Sequence, residues 1–354
     1  MTSFINERAA AIDHAHRNGV IVVGSITADV TTFSTRLPQR GETILGDDVT
    51  LVLGGKGANQ AVAAARAEAR VQLVGCVGTD AFQSLVLDGL RDDSVGIDHL
   101  RLVAGATGVA HIRVDDSGEN DIVIVPKANS ALSMEQVSTA VNELAPTSAV
   151  MLTQLEVPAD VVFHALQLGR AAGLITVLDP APAPVSALAN EVWASVDIVT
   201  PNETEASYIT GIDVTDVDSA IAAGQWFLAR GTHAALITLA SAGAVLVTGE
   251  GTMTFAAFPV KAIDTTAAGD AFAGYLGAGL ARGESLETAL SNAMAAGALA
   301  VTRRGASPSL PYRAEVDQLL ANALTASAAP VPEASATKTP ASATPATQEN
   351  EATA

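Results

Sequence analysis

Residues 19–26 read GVIVVGSI, a short apolar run that contains glycine and serine near its end. Compact runs of this kind are typical of parallel strands that are buried on both faces. Segments of helical composition lie between such runs, at 58–69, 159–172 and 221–230. The alternation predicts an α/β fold, a doubly wound and mostly parallel sheet flanked by helices. The other runs are VQLVGCVG (71–78), SAVMLTQLE (148–156), LITVLDP (174–180), VDIVTPN (196–202) and AALITLAS (234–241).

Two stretches, at about 26–53 and 107–126, interrupt this alternation. They carry β-type runs with no helix between them, namely DDVTLVLGG (47–55), GVAHIRVDD (108–116) and NDIVIVP (120–126). We expect these runs to form a small antiparallel sheet that stands away from the main one. A sheet of this kind can act as a lid, or as a pairing surface between two subunits.

The chain length of 354 residues fits one large α/β domain with an accessory element, or two domains. We expect residues 1–18 to be a polar leader with at most one loose helix, and residues 19–323 to be the α/β domain. The last segment, 324–354, is rich in Ala, Pro, Ser and Thr. It can bury little apolar surface, so we expect it to be disordered.

Composition excludes several classes of function. The formal net charge of −19 argues against nucleic acid or an anionic membrane as a partner. Cys76 is the only cysteine, which excludes an internal disulfide and a cysteine-based metal cluster and fits a reducing compartment. The N-terminal segment has no apolar core of a signal peptide, and no apolar run is long enough to span a bilayer. We therefore expect a cytoplasmic protein.

Familiar nucleotide-binding motifs are incomplete. In LVLGGKGA (51–58), Gly57 follows Lys56 where a Walker A loop needs Ser or Thr, and Thr50 occupies the place of its leading Gly. In GYLGAGLARG (274–283), Arg282 stands where a dinucleotide fingerprint needs Gly. These departures argue against a P-loop enzyme and against a dinucleotide-dependent oxidoreductase.

Three polar clusters lie at predicted helix starts: GGKGANQ (54–60), TPNETEA (200–206) and DTTAAGD (264–270). A helix start attracts anions through its free N–H groups and its dipole. Each cluster also has a purely structural interpretation. Asn59 can cap a flexible loop, Asn202 and Glu205 suit an ordinary helix start, and Asp270 can cap its own helix.

The order of the three clusters resembles that of the PfkB carbohydrate kinase family. The resemblance runs from about residue 19 to residue 320 and is strongest to the members that phosphorylate ribose. It implies transfer of the γ-phosphate of ATP to the 5-hydroxyl of D-ribose, to give ribose 5-phosphate and ADP. It includes the segments GSITAD (24–29), PQRGET (38–43), TGVAHI (107–112), QLE (154–156), DPAPA (179–183), ITLASAG (237–243) and VTRRGASPSLP (301–311).

The resemblance assigns the chemistry to the third cluster. Asp270 matches the catalytic base that takes the proton from the attacking hydroxyl of the sugar. Ala267, Ala268 and Gly269, with the N–H groups that open the helix, match an anion hole for the phosphoryl group. Small residues suit such a hole because a bulky side chain would keep the phosphate off the backbone. Phosphoryl transfer depends mostly on positioning and charge stabilisation.

The resemblance also implies the binding residues, magnesium and an activating potassium ion, while the exposed edge of the lid predicts a homodimer that pairs through it. On the sugar side it matches Thr27, Asp29, Gly55, Lys56, Asn59, Ala110, Ile112, Glu156 and Asp270. On the nucleotide side it matches Asn202, Thr238, Gly243 and Met294. Magnesium accompanies ATP, and Glu205 is matched to its positioning through water. An activating potassium ion matches the side chains of Asp264 and Ser309 and the carbonyl groups of Thr266, Ala300, Arg303 and Gly305.

Three positions depart from the pattern of the ribose-phosphorylating members. Thr27 replaces an Asn beside the sugar, Ala240 replaces a Gly in the nucleotide loop, and Met294 replaces a His near the adenine. The shorter Thr27 removes a possible sugar contact, which leaves 2-deoxyribose, a ketohexose or a nucleoside as alternative substrates. A catalytically silent sugar-binding regulator is disfavoured, because neither the base nor the anion hole is lost.

Overall fold

The computed structural model describes residues 4–117, 120–184 and 188–328. Its strands are β1 (Gly19–Val23), β2 (Thr27–Ser34), β3 (Asp48–Gly54), β4 (Arg70–Gly78), β5 (Leu100–Val103), β6 (Gly108–Asp115), β7 (Asn120–Val125), β8 (Ser148–Thr153), β9 (Ile175–Leu178), β10 (Ile198–Val199), β11 (Ala234–Thr238), β12 (Ala244–Thr248) and β13 (Gly251–Phe255). Its α-helices are α1 (Phe4–Ala10), α2 (Lys56–Arg66), α3 (Gln83–Asp92), α4 (Met134–Leu144), α5 (Ala159–Ala171), α6 (Asn190–Trp193), α7 (Glu203–Thr210), α8 (Val217–Leu228), α9 (Ala268–Ala281), α10 (Leu286–Ala300) and α11 (Arg313–Ala328).

The main sheet has nine strands in the order β13-β12-β11-β10-β9-β8-β1-β4-β5. The six predicted runs supply β1, β4, β8, β9, β10 and β11, which are neighbours and run parallel. Strand β5 extends the parallel part at one edge, while β12 and β13 pair antiparallel at the other. The prediction of a doubly wound, mostly parallel α/β sheet is confirmed.

Apolar side chains cover both faces of this sheet. Along β1, Val20 and Val22 belong to one core cluster, whereas Ile21 and Val23 belong to the other. Successive residues of a strand point to opposite faces, so a continuous apolar run is what a doubly covered strand requires. Residues of α2, α9 and α10 contribute to the first cluster and residues of α4 and α5 to the second.

The second sheet has four strands in the order β3-β2-β6-β7, which confirms the small separate sheet. The prediction that it would be antiparallel throughout is wrong. Its outer pairs, β2–β3 and β6–β7, are antiparallel, but the central strands β2 and β6 run parallel. The reason lies in the main sheet. Strands β1 and β5 have the same direction there, so the strands that follow them leave the sheet in the same direction.

Helices α2 and α9 pack closely because small residues meet between them. A Cβ atom on Gly274 would lie 2.5 Å from Ala63 Cβ and 2.7 Å from the carbonyl oxygen of Gln60. Atoms cannot approach that closely, so the contact depends on a residue without a side chain. The Ala- and Gly-rich composition of the chain serves this packing, which sets the distance between the two helices.

The described residues near both ends of the chain are more helical than the sequence predicted. In α1, Ile5 and Ala9 are buried, and Arg8 donates a hydrogen bond of 2.8 Å to the carbonyl oxygen of Leu174. The described part of the leader therefore contains a docked helix. Helix α11 continues to Ala328, and the rest of the tail expected to be disordered lies outside the described residues. Among the helices described, none is long and apolar enough to cross a membrane.

We predict that Gly274→Ala lowers the free energy of unfolding by about 1–3 kcal/mol, because overpacking forces α2 and α9 apart. Urea denaturation measures this change. Gly269→Ala in the same helix is the matched control, since its new Cβ would meet no protein atom within 4 Å. That variant should keep its stability or gain up to about 1 kcal/mol from helix propensity. Equal stability of the two variants would contradict the importance of the α2–α9 contact.

Candidate active site

A cavity of about 300 Å³ lies between the main sheet and the small sheet, where β1 leads into β2 and where α2 and α9 begin. Every residue that the resemblance assigned to the sugar lines it. Sequence reasoning did not assign a sugar contact to Ile122 and Ile124 of β7, Thr265 or Ala306. The alternating apolar pattern of β7 was the signal for the first two. The lining residues are Thr27, Asp29, Gly55, Lys56, Asn59, Ala110, Ile112, Ile122, Ile124, Glu156, Thr265, Thr266, Ala267, Asp270 and Ala306.

Asp270 lies in the first turn of α9 and is buried, with 4% of its surface exposed. It does not cap its helix, because the N-cap residue is Ala267 and makes no side-chain capping bond. Two amides of α2 hold its carboxylate instead. Asn59 Nδ2 donates to Oδ2 at 2.9 Å and Gln60 Nε2 donates to Oδ1 at 3.2 Å. The capping interpretations of Asp270 and Asn59 are therefore not realised.

The start of α9 leaves open space above the backbone. Ala267 has φ of +59°, a left-handed conformation that is rare for a residue with a side chain. The first N–H groups of a helix have no partner within the helix and can bind an anion. Gly269 is helical, yet no protein atom occupies the place of its missing Cβ. Packing within the chain does not require a glycine there.

The β1–β2 corner supplies a second buried carboxylate of the cavity lining, that of Asp29. Thr27 Oγ1 donates to Asp29 Oδ1 at 2.6 Å, and both side chains are buried. Burial raises the pKa of Asp29 to about 6, and the charges of Glu156 and Asp270 add to this effect. Above that pH the ionised carboxylate prevails and can accept hydrogen bonds from hydroxyl groups.

The glycines of the first cluster are required by close contacts within the protein. A Cβ on Gly54 would overlap the carboxylate of Asp29, and a Cβ on Gly57 would lie 2.5 Å from the backbone of Gly24. Gly55 has φ of +89° and is the N-cap of α2. These residues let the loop press against the β1–β2 corner, and they thereby bring α2 to the cavity.

Lys56 is surrounded by acidic side chains. Its Nζ lies 3.5 Å from Asp179 Oδ2, and its backbone N–H donates to Glu156 Oε2 at 3.0 Å. Burial alone would lower the pKa of Lys56, but the charges of Asp179, Asp270 and Glu156 outweigh burial and raise it. The side chain therefore stays protonated. Burial has the opposite effect on an acid: it raises the pKa of Asp179, although the charge of Lys56 opposes the shift.

Sequence reasoning missed a row of buried polar residues behind the cavity. Gln154 Nε2 donates to Gln60 Oε1 at 2.6 Å, and Gln60 Nε2 donates to Asp179 Oδ2 at 2.9 Å. Asp179 stands at the end of β9 in the segment DPAPA, and Gln60 directly follows Asn59. These positions were the available signals, but neither residue had a role assigned to it.

The second cluster forms a helix start of the ordinary kind. Asn202 Oδ1 accepts from the N–H of Glu205 at 2.8 Å, and Glu205 Oε2 accepts from the N–H of Asn202 at 2.9 Å. Asn202 also forms a bridge with Thr238 at the end of β11. Gly243 has φ of +99° in the turn before β12, and a Cβ there would overlap the carbonyl oxygen of Phe255. The structure brings Asn202, Glu205 and Thr238 together outside the lining of the cavity, whereas Met294 packs against the first core cluster.

The residues matched to potassium lie where the loop before α9 meets the end of α10. Asp264 Oδ1 accepts from the N–H and the hydroxyl of Thr266, and its Oδ2 accepts from the N–H of Gly305 at 2.8 Å. The carbonyl oxygen of Ala300 accepts from the N–H of Arg303, whose side chain pairs with Glu315. Ser309 is buried, and its hydroxyl donates to the carbonyl oxygen of Ala306 at 2.8 Å. Asp264 thus ties the loop before α9 to the segment after α10.

The pfkB family carbohydrate kinase profile matches residues 17–313 of the chain. A ribokinase from Haemophilus influenzae is 38% identical over 309 residues, which are 87% of this chain and 100% of that protein. A deoxyribokinase from Salmonella typhi is 32% identical over 302 residues, which are 85% of this chain and 98% of that protein. The solved structure of an Arabidopsis thaliana ribokinase with ribose and ATP has a TM-score of 0.76 at 32% identity, over 86% of this chain and 99% of that one. The fold, the site and these relatives together show that the chain belongs to the pfkB family of carbohydrate kinases.

Proposed function

We propose that this protein is an ATP-dependent ribokinase, which converts D-ribose and ATP into ribose 5-phosphate and ADP. One observation carries the proposal. A buried carboxylate, Asp270, faces the same cavity as Lys56, Asp29 and the open start of α9. The relatives named ribokinase and the family match support the same reaction. Because the reaction consumes ATP, we propose the cytoplasm as its location.

In the proposed mechanism Asp270 accepts the proton of the 5-hydroxyl as that oxygen attacks the γ-phosphorus. Asn59 and Gln60 hold the carboxylate in place for this step. Asp29 accepts hydrogen bonds from two hydroxyls of the sugar ring. Ala110 and Ile112 cover the apolar face of that ring. The amides at the start of α9, with the charge of Lys56 nearby, stabilise the negative charge of the transferring group.

Magnesium and potassium fit this site as cations held chiefly by oxygen atoms. Within the described part of the chain no three His, Cys, Asp or Glu side chains are placed to hold a metal. This suits magnesium, which keeps several waters and binds nucleotide phosphates. Bound with ATP, magnesium supplies positive charge to the phosphate oxygens. Glu205 uses only Oε2 in its capping bond, and its other oxygen can accept from a water on the metal.

Potassium is proposed at the loop that Asp264 ties to Gly305. Backbone carbonyl groups of Thr266, Ala300, Arg303 and Gly305 would hold it together with Asp264 and Ser309. Its charge would offset the negative end of those carbonyl dipoles and order the loop that leads into Ala267. The order of that loop decides whether the N–H groups of α9 meet the phosphate.

We also propose a homodimer that pairs through the small sheet. Val49 and Val123 are 61% and 62% exposed on β3 and β7, and Leu51 is 44% exposed. Large apolar side chains on an open sheet mark an association surface. Analytical ultracentrifugation tests this proposal, and a monomer at micromolar concentration would contradict it.

A specific observation favours 2-deoxyribose as a second candidate substrate. The hydroxyl of Thr27 already donates to Asp29, so it occupies one carboxylate oxygen in the sugar pocket. A site that makes fewer bonds to the sugar hydroxyls discriminates less against a sugar that lacks one. The similarity to a deoxyribokinase agrees with this alternative.

The proposal predicts ADP release from ATP and magnesium with ribose, and a faster rate when potassium is present. The assay compares ribose, 2-deoxyribose, fructose and adenosine, each with potassium and with sodium. A higher kcat/KM for 2-deoxyribose than for ribose would identify 2-deoxyribose as the substrate and would leave the proposed mechanism unchanged. No turnover with any of them would contradict the proposed function, and calorimetry would then show whether the protein only binds a sugar.

Asp270→Asn is expected to lower kcat by about 10²–10⁴-fold, because the amide cannot accept the proton. ATP binding, measured by calorimetry, should persist. Asp218→Asn on the exposed face of α8 is the matched control and should keep full activity. If the Asp270 variant retains most of its rate, Asp270 is not the base.

Gly269→Ala should lower kcat at least about tenfold while the protein stays as stable as the wild type. The new methyl group would stand in space that the protein leaves empty and that the phosphoryl group would use. Single-turnover rates and urea denaturation on the same samples separate the two effects. Unchanged turnover would place the phosphate away from the start of α9.

A further inference from the structure

Gln60 is fully buried behind Asp270 and outside the cavity lining. We propose that Gln60 is a positioning residue: it orients the carboxylate of Asp270 and joins it to the ion pair of Asp179 and Lys56. This inference rests on the proposed function and deepens it, because it names the group that holds the base.

One amide group serves two carboxylates. Gln60 Nε2 lies 3.2 Å from Asp270 Oδ1 and 2.9 Å from Asp179 Oδ2. An amide NH₂ has two hydrogens, so it can donate one to each carboxylate. The two acidic side chains are thus held on either side of a neutral donor.

The two carboxylates determine which way the amide of Gln60 points, and Gln60 in turn orients Gln154. The Nε2 of Gln154 donates to Gln60 Oε1 at 2.6 Å. If the amide of Gln60 were reversed, its oxygen would face the carboxylates of Asp270 and Asp179. That arrangement loses both hydrogen bonds to the carboxylates in a buried place, where each unpaired polar group is costly. The donor side of Gln60 is therefore fixed toward Asp270.

The arrangement also links the base to the cation of the site. Asp179 accepts from Gln60 with the same oxygen that lies 3.5 Å from Lys56 Nζ. The connection runs from Gln154 through Gln60 to Asp179 and Lys56, with a branch to Asp270. A displacement of Lys56 is thereby transmitted to the carboxylate that takes the proton.

Two effects on the reaction follow. Gln60 and Asn59 bind different oxygens of Asp270, so the carboxylate cannot rotate about its own bond without losing one of them. Each donated bond also favours the ionised form of a carboxylate, which is the form a base requires. Removal of Gln60 should therefore reduce the rate of chemistry more than the binding of the sugar.

The test is Gln60→Met in the full chain, which keeps the length of the side chain and removes both donors. With the sugar that the wild type prefers, we expect kcat to fall about 10–100-fold and KM for the sugar to change less than about threefold. The acid limb of the kcat–pH profile should move to higher pH, because the carboxylate loses a donor that favours its ionised form. Asp179→Asn should move the same limb to lower pH, because it removes a neighbouring negative charge.

Gln136→Met is the matched control. Gln136 Nε2 also donates two hydrogen bonds, to the carbonyl oxygens of Gly75 and His99, away from the cavity. It should lose stability and keep its pH profile. A Gln60 variant whose pH profile matches the wild type, or whose rate falls only as far as that of Gln136→Met, would overturn the proposal.

A second readout does not depend on turnover. If Gln60 stabilises ionised carboxylates, the difference in urea midpoint between wild type and Gln60→Met should be larger at pH 8 than at pH 5. The same difference for Gln136→Met should not change with pH. An equal difference at both pH values for Gln60→Met would contradict the proposal. Failure of the wild type to phosphorylate any sugar would instead contradict the proposed function.

Discussion

Helices α2 and α9 touch at Gly274, where there is no room for a side chain against Ala63 and the backbone of Gln60. The site depends on this contact. Helix α2 carries Lys56 and Asn59, and α9 carries Asp270, so the separation of the helices sets the distances between the groups that would bind and activate the sugar. Hydrogen bonds of about 3 Å tolerate little displacement. The small residues of both helices are therefore part of the active-site geometry.

The charge of the site explains its expected need for cations. The carboxylates of Asp179, Asp270, Glu156 and Glu205 all contribute to the electrostatic environment of the single Lys56. An ATP molecule would add further negative charge to a protein whose formal net charge is already −19. Magnesium with the nucleotide and the free N–H groups of α9 would supply the compensating positive charge. Neutral amides such as Gln60 keep the buried carboxylates apart without adding charge.

Strands could be predicted from the sequence where each strand carries its own apolar pattern. The apolar runs at 19–26 and 234–241 identified strands buried on both faces. The direction of β2 relative to β6 was not predictable in the same way. It depends on β1 and β5, which lie far away in the sequence and become parallel only within the main sheet. The docking of α1 through Ile5 and Arg8 likewise depends on surfaces formed by distant segments.

The sequence by itself determined the parallel α/β architecture, the family, and most of the residues that line the cavity, because each of these is carried by local patterns or by motifs in a fixed order. The tertiary structure decided how those residues are used. It assigned Asn59 to Asp270 rather than to a cap, it showed that Gly54 and Gly57 make room for other parts of the chain while the space beside Gly269 is open, and it placed Gln60 between two carboxylates. The contacts of Asn59 and Gln60 join side chains more than a hundred residues apart, and those of Gly54 and Gly57 join separate segments of the chain, so no local pattern encodes them.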